Sequence, residues 1–230
     1  LERTRMADDT IVAFVSDHGD MLGERGMWFK MSFFEGSSRV PLMIAAPGME
    51  PSLVEAPVST IDMAPTLCDL AGIDMAEIKP WTDGHSLVPT VRGDARPEPV
   101  FMEYAAEGSQ APLVSIREGK WKFNHCELDP PQLFDLKADP AEMTNLAEDL
   151  GHAELVEDFK AKMLAQWDMA RFDAEVRESQ ARRWVVYEAL RNGSYYPWDF
   201  QPLQKASERY MRNHMDLNVL EDSQRFPRGE

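Results

Sequence analysis

Cysteine is scarce: only Cys68 and Cys126 occur among 230 residues. Neither has a CxxC partner or a Cys/His spacing around it, which excludes a disulfide framework and the usual zinc patterns. That scarcity points to a reducing compartment, and the expected localisation is cytoplasmic. Positive charge is also short, with 24 basic side chains against 40 acidic ones and a net charge of −16. Such a surface repels a phosphate backbone, so no nucleic-acid partner is expected. Long hydrophobic runs are missing too. The longest, near residues 11–15 and 40–46, are far shorter than the ~20 residues a membrane helix needs, so a soluble chain without a membrane partner is expected. The opening LERTRMADDT carries neither an initiator methionine nor an apolar leader segment. It reads as the end of a helix cut in the middle, and a fragment without its upstream half is expected.

What remains is ordinary globular material, 43% hydrophobic and 10% aromatic, enough to bury a core. Thr10–Ser16 and Val40–Ala46 are short β-branched apolar runs that read as strands buried on both faces. A loop of more than 20 residues separates them, which suggests a parallel α/β sheet with ligand-binding loops at the strands' C-terminal ends. Asp62–Ala71 has helical apolar spacing and a glycine stop at Gly72. Beyond a Pro/Gly-rich stretch the period changes. Pro112–Ile116, Lys120–Asn124 and Gln132–Leu136 predict a small antiparallel sheet, and His152–Arg171 predicts one long helix that packs on it.

The last fifty residues carry 8 basic and 7 acidic groups together with eight aromatics. With prolines interrupting them, they read as an extended arm. That arm can wrap its own domain or dock on a neighbouring subunit, and the second favours a homo-oligomer. The expected domains are therefore 1–100, 101–180 and 181–230.

Chemistry concentrates in Ser16–Arg39. Asp17 and His18 follow a strand end, where a turn at Gly19 lets a carboxylate and an imidazole converge on one hard divalent cation. A capping aspartate beside a solvated histidine fits the bare triplet equally well. Further on, Met102–Pro112 (MEYAAEGSQAP) gathers Glu103, Tyr104 and Glu107 in an expected loop, as acidic and aromatic groups that could face a cation. A solvated acidic turn fits those residues too.

The string SDHGDMLGERGMWFKMSFFEGSSRVPLMIAAPG resembles the second metal-binding segment of the sulfatase family, in the alkaline phosphatase superfamily. STIDMAPTLCDLAGI, DGHSLVP and IREGKWKFNHCELDPPQLFDLKADPAEMTNLA continue the resemblance in order. RRWVVYEALRNGSYYPWDFQPLQKASERYMRNHMDL is similar to the C-terminal extension of choline-sulfatases.

The resemblance implies an α/β fold: the C-terminal part of an alkaline-phosphatase-like sandwich, an appended antiparallel sheet plus helix, and the arm. It makes Asp17 and His18 ligands of a divalent metal, calcium or magnesium and in some members manganese. Lys30, twelve positions after the histidine, becomes the contact to the sulfate oxygens; a plain surface lysine is the alternative. Glu107 becomes the carboxylate facing choline's ammonium, with Glu103 and Tyr104 as further candidates. The implied reaction is hydrolysis of a small sulfate ester, choline O-sulfate first. A phosphonate or phosphate diester, or an aryl sulfate, is the alternative substrate, and a non-catalytic assembly fragment the alternative role. The family's formylglycine nucleophile comes from a C/S-x-P-x-R motif. No such motif occurs here, so the formylglycine is expected in the absent N-terminal half and the fragment alone is expected to be inactive.

Overall fold

A computed structural model describes residues 1–94, 96, 98–106 and 109–191, the last of these by its backbone only. The chain divides into two compact units, Leu1–Val176 and Arg177–Glu230.

In the first unit, strand β1 (Val12–Val15) leads into a hairpin of β2 (Met21–Leu22) and β3 (Trp28–Phe29), then helix α1 (Glu35–Ser38) and strand β4 (Leu42–Ala45). β1 and β4 pair antiparallel, with Val12 opposite Ala45 and Val15 opposite Leu42. This corrects the expected parallel pairing. It also corrects the expected burial, since Val12, Phe14, Val15 and Met43 are exposed. An apolar run states that a strand can be buried, but neither its direction nor what covers it.

Helices α2 (Met63–Leu70), α3 (Met75–Ile78) and α4 (Val88–Val91) follow. The predicted glycine stop of α2 is present, with Gly72 at φ +74°. Asp62, fully buried, ties this region together. Its carboxylate closes a capping box with Ser59, accepts the His85 N–H at 3.0 Å and pairs with Arg96. Thr66 donates to the Asp62 carbonyl and accepts the Leu87 N–H. The STIDMAPT and DGHSL motifs are thus two halves of one buried hydrogen-bonded junction.

Four strands then form an antiparallel meander: β5 (Val100–Tyr104), β6 (Leu113–Glu118), β7 (Trp121–Cys126) and β8 (Asp129–Asp135). Three were expected. β5 was not, so Glu103 and Tyr104 lie on a strand rather than in a loop. One face of this sheet, carrying Val114, Ile116, Phe123 and Leu133, packs on Val156, Phe159 and Met163 of helix α5 (Ala153–Gln166). Phe123 and Phe159 stack with centroids 5.7 Å apart.

The predicted single helix is two. Trp167 is extended, at φ −128° and ψ 135°. The Asp168 carboxylate accepts the Arg171 N–H at 3.0 Å, a side-chain cap that starts helix α6 (Met169–Arg191). Within the second unit α6 continues to Arg191, so residues 181–191 are helical, not extended. The remainder of the arm, residues 192–230, lies outside the described residues. Among the described residues no helix is long and apolar enough to cross a membrane.

Candidate functional site

The site is built where β1 ends. The Ser16 hydroxyl donates to the His18 carbonyl at 2.8 Å, and Asp17 Oδ1 accepts the His18 N–H at 3.0 Å, so the chain turns sharply. Gly19 then runs against α1: its N–H donates to the Ser37 carbonyl at 2.7 Å. A Cβ at position 19 would sit 2.2 Å from the Gly36 carbonyl oxygen. Only glycine permits that approach. The turn leaves Asp17 Oδ2 3.5 Å from His18 Nε2.

The hairpin returns the chain to the same place. Met21 pairs with Phe29 and Leu22 with Trp28. Gly23 and Gly26 supply left-handed turn positions, and Glu24 Oε2 accepts the Leu22 N–H at 2.6 Å. Lys30 directly follows, and its Nζ lies 3.2 Å from His18 Nε2. Asp17, His18 and Lys30, twelve residues apart in sequence, therefore meet in space.

The hydrogen bonds assign the imidazole. His18 Nδ1 lies 2.8 Å from the Gly19 carbonyl, which can only accept, so Nδ1 carries the proton and Nε2 keeps a lone pair in the neutral ring. Nε2 faces both the Asp17 carboxylate and the Lys30 ammonium. The hydrogen bond from the His18 N–H holds the Asp17 carboxyl below its ordinary range, and the nearby Lys30 ammonium acts in the same direction. One oxygen donor and one nitrogen donor on a single turn suit one side of a hard divalent cation. Among the described residues no group of three or more His, Cys, Asp or Glu side chains completes it.

Glu103 and Tyr104 separate. Adjacent strand residues face opposite ways. The Glu103 carboxylate accepts the Trp167 Nε1–H at 2.6 Å, on the face that packs on α5. Tyr104 lies on the other face, in register with Leu113 of β6 and Cys126 of β7. Glu103 is thus engaged in holding Trp167, whereas Tyr104 lies on the opposite face of the sheet. Glu107 lies outside the described residues.

A buried ionic cluster behind the site was not foreseen. Lys122 Nζ, with its side chain 1% exposed, lies 2.6 Å from Glu35 and 2.9 Å from Glu142, and donates to the Phe33 carbonyl at 2.7 Å. Glu142 also accepts the Glu35 N–H at 2.7 Å. Arg25 stacks 4.2 Å over Phe34 and donates to the Ala141 carbonyl. The small sheet thereby grips α1 and the tip of the hairpin. Lys122 occupies the polar position of the β7 alternation, on the face opposite Phe123, so the sequence carried no signal for it.

Comparison with known proteins gives the family. Residues 23–168 match the model of the N-sulphoglucosamine sulphohydrolase C-terminal region, and residues 174–226 match the C-terminal model of the choline sulfatase enzyme. The chain is 68% identical to a choline-sulfatase of Rhizobium meliloti, covering 100% of this chain and 46% of that protein. Its fold is similar to a 2-O GAG sulfatase, with TM-score 0.62 and 28% identity over 79% of this chain and 40% of the other. It is also similar to a phosphonate monoester hydrolase of Agrobacterium radiobacter, with TM-score 0.59 and 32% identity over 72% and 36%. The chain spans about half the length, or less, of the curated relatives it matches. On these matches the chain belongs to the sulfatase family, and the regions it matches are the C-terminal ones.

Proposed function

We propose that the chain supplies one wall of a sulfate-ester hydrolase active site, and that its substrate is choline O-sulfate. The observation that carries this is the meeting of Lys30 Nζ, His18 Nε2 and the Asp17 carboxylate within 3.5 Å steps at the end of β1.

In this reading Asp17 and His18 hold a divalent cation, calcium, magnesium or manganese, together with ligands from outside this chain. When bound, the cation polarises a sulfate oxygen and orients the nucleophile. The formylglycine that the family implies also comes from outside this chain. Lys30 contributes a compact cation on a flexible stem to the peripheral sulfate oxygens, whose charge grows toward the transition state. The Gly19 carbonyl fixes the imidazole so that Nε2 faces the site.

Choline's quaternary ammonium donates no hydrogen bond, so its recognition rests on an aromatic face and a carboxylate. Tyr104, on the face of β5 opposite Glu103, and Glu107 three residues further along the chain take those roles; Glu103, committed to Trp167, takes none. The 68% identity with a choline-sulfatase supports this choice. The same proposal includes self-association through the C-terminal arm.

The likeness to a phosphonate monoester hydrolase favours a second reading in which the ester differs and the metal-binding turn is shared. Comparing choline O-sulfate with an aryl sulfate and a phosphonate monoester on the complete enzyme separates the two. Choline O-sulfate should lead in kcat/KM by about 100-fold or more, because two groups are dedicated to its ammonium. Equal or better turnover of the phosphonate would transfer the assignment to the second reading.

A further inference from the structure

One buried residue touches both halves of the site. Ser37, on α1, is 3% exposed. Its hydroxyl donates to the Lys30 carbonyl at 2.6 Å. Its carbonyl accepts the Gly19 N–H at 2.7 Å, holding the turn that presents Asp17 and His18. The Lys30 carbonyl accepts a second hydrogen bond from the Ser32 N–H at 2.8 Å. Immediately before Lys30, Phe29 has φ +67°, a conformation that a bulky side chain adopts only when its surroundings impose it. Phe29 is 64% exposed, so side-chain packing does not impose it; its pairing with Met21 and the hydrogen bonds to the next carbonyl hold the backbone there.

We propose that Ser37 is a positioning residue that sets the Lys30 ammonium against the Asp17–His18 turn. The inference rests on the reading of Lys30 as the sulfate contact. Ser37 cannot follow the lysine if the loop drifts, because α1 is held from behind: Lys122 binds the Phe33 carbonyl and the Glu35 carboxylate. With the tie removed, Phe29 relaxes toward negative φ and carries Lys30 away. A displacement of about 1 Å at a group that meets developing charge costs on the order of 100-fold in rate. The loss falls on turnover, since the ammonium acts most strongly on the transition state.

The test uses the complete metal-loaded enzyme. Ser37→Ala should lower kcat by about tenfold to 100-fold with KM within about threefold. Ser37→Thr, which keeps the hydroxyl, should return kcat to within about threefold of the parent. Where the alanine variant fails to fold, Ser37→Cys, which keeps the shape and weakens the donor, carries the same expectation. Calcium affinity measured by calorimetry should be unchanged in all of them, since neither metal-facing side chain is altered. Ser38→Ala is the structural control. Its hydroxyl donates to the Phe33 and Phe34 carbonyls and not to Lys30, so it should lower Tm comparably and leave kcat intact. Parental kcat in Ser37→Ala, or an equal rate loss in Ser38→Ala, overturns the proposal. Lys30→Ala separates the two levels: if it is silent, the reading of Lys30 fails. If it is crippling while Ser37→Ala is silent, only the positioning role fails.

Discussion

Asp17→Ala in the complete enzyme should abolish nearly all turnover, by about 10³-fold or more. The carboxylate is exposed, with its side chain 85% accessible, so truncation leaves no cavity and no orphaned partner in the core. Thermal stability should therefore stay close to the parent, and the loss is a loss of chemistry. Metal titration by calorimetry should show the cause as weakened binding. Asp20→Ala is the matched control. Asp20 approaches His18 only on the Nδ1 side, at 3.9 Å, where the ring is already committed to the Gly19 carbonyl. It should retain activity within about threefold. If Asp17→Ala stayed within tenfold of the parent, the ligand assignment would fall.

The second large effect concerns folding. Lys122→Ala should cost about 3–5 kcal/mol, measured as a fall in the urea midpoint at unchanged slope. The ammonium sits between Glu35 and Glu142, whose side chains are 22% and 3% exposed. Removing it leaves two carboxylates facing each other with little water and takes one of two donors from the Phe33 carbonyl. Replacing Lys122 with methionine and both glutamates with glutamine in one variant should recover most of that loss, because the penalty lies in the uncompensated charges. If the single substitution cost under about 1 kcal/mol, the cluster would be a surface-like pair of no structural consequence.

Much of the site was legible because its residues lie close in sequence. Asp17 and His18 are adjacent and Gly19 marks the turn; Lys30 followed only from the family resemblance, and the short hairpin that closes the interval to it was not read. The convergence at the Ser37 hydroxyl was not legible, since a serine in a four-residue helix carries no pattern. Lys122 escaped for a related reason: a strand lysine ordinarily faces water, and only its partners, 20 and 87 residues away along the chain, make it an interior group.

β5 was missed because VFMEY adjoins a run of prolines and acids whose composition reads as loop. The break between α5 and α6 had a visible signal in Asp168, a good capping residue, but the apolar stripe through Trp167 and Ala170 concealed it. Pairing direction was beyond reach for β1 and β4, where the same β-branched runs serve either orientation.

The backbone crossing at Gly19 and Gly36 also bears on how this chain can be varied. Main chain meets main chain there with no room for even a methyl group, so saturation libraries spanning the Asp17–Gly19 turn will return misfolded variants at position 19 whatever property is selected.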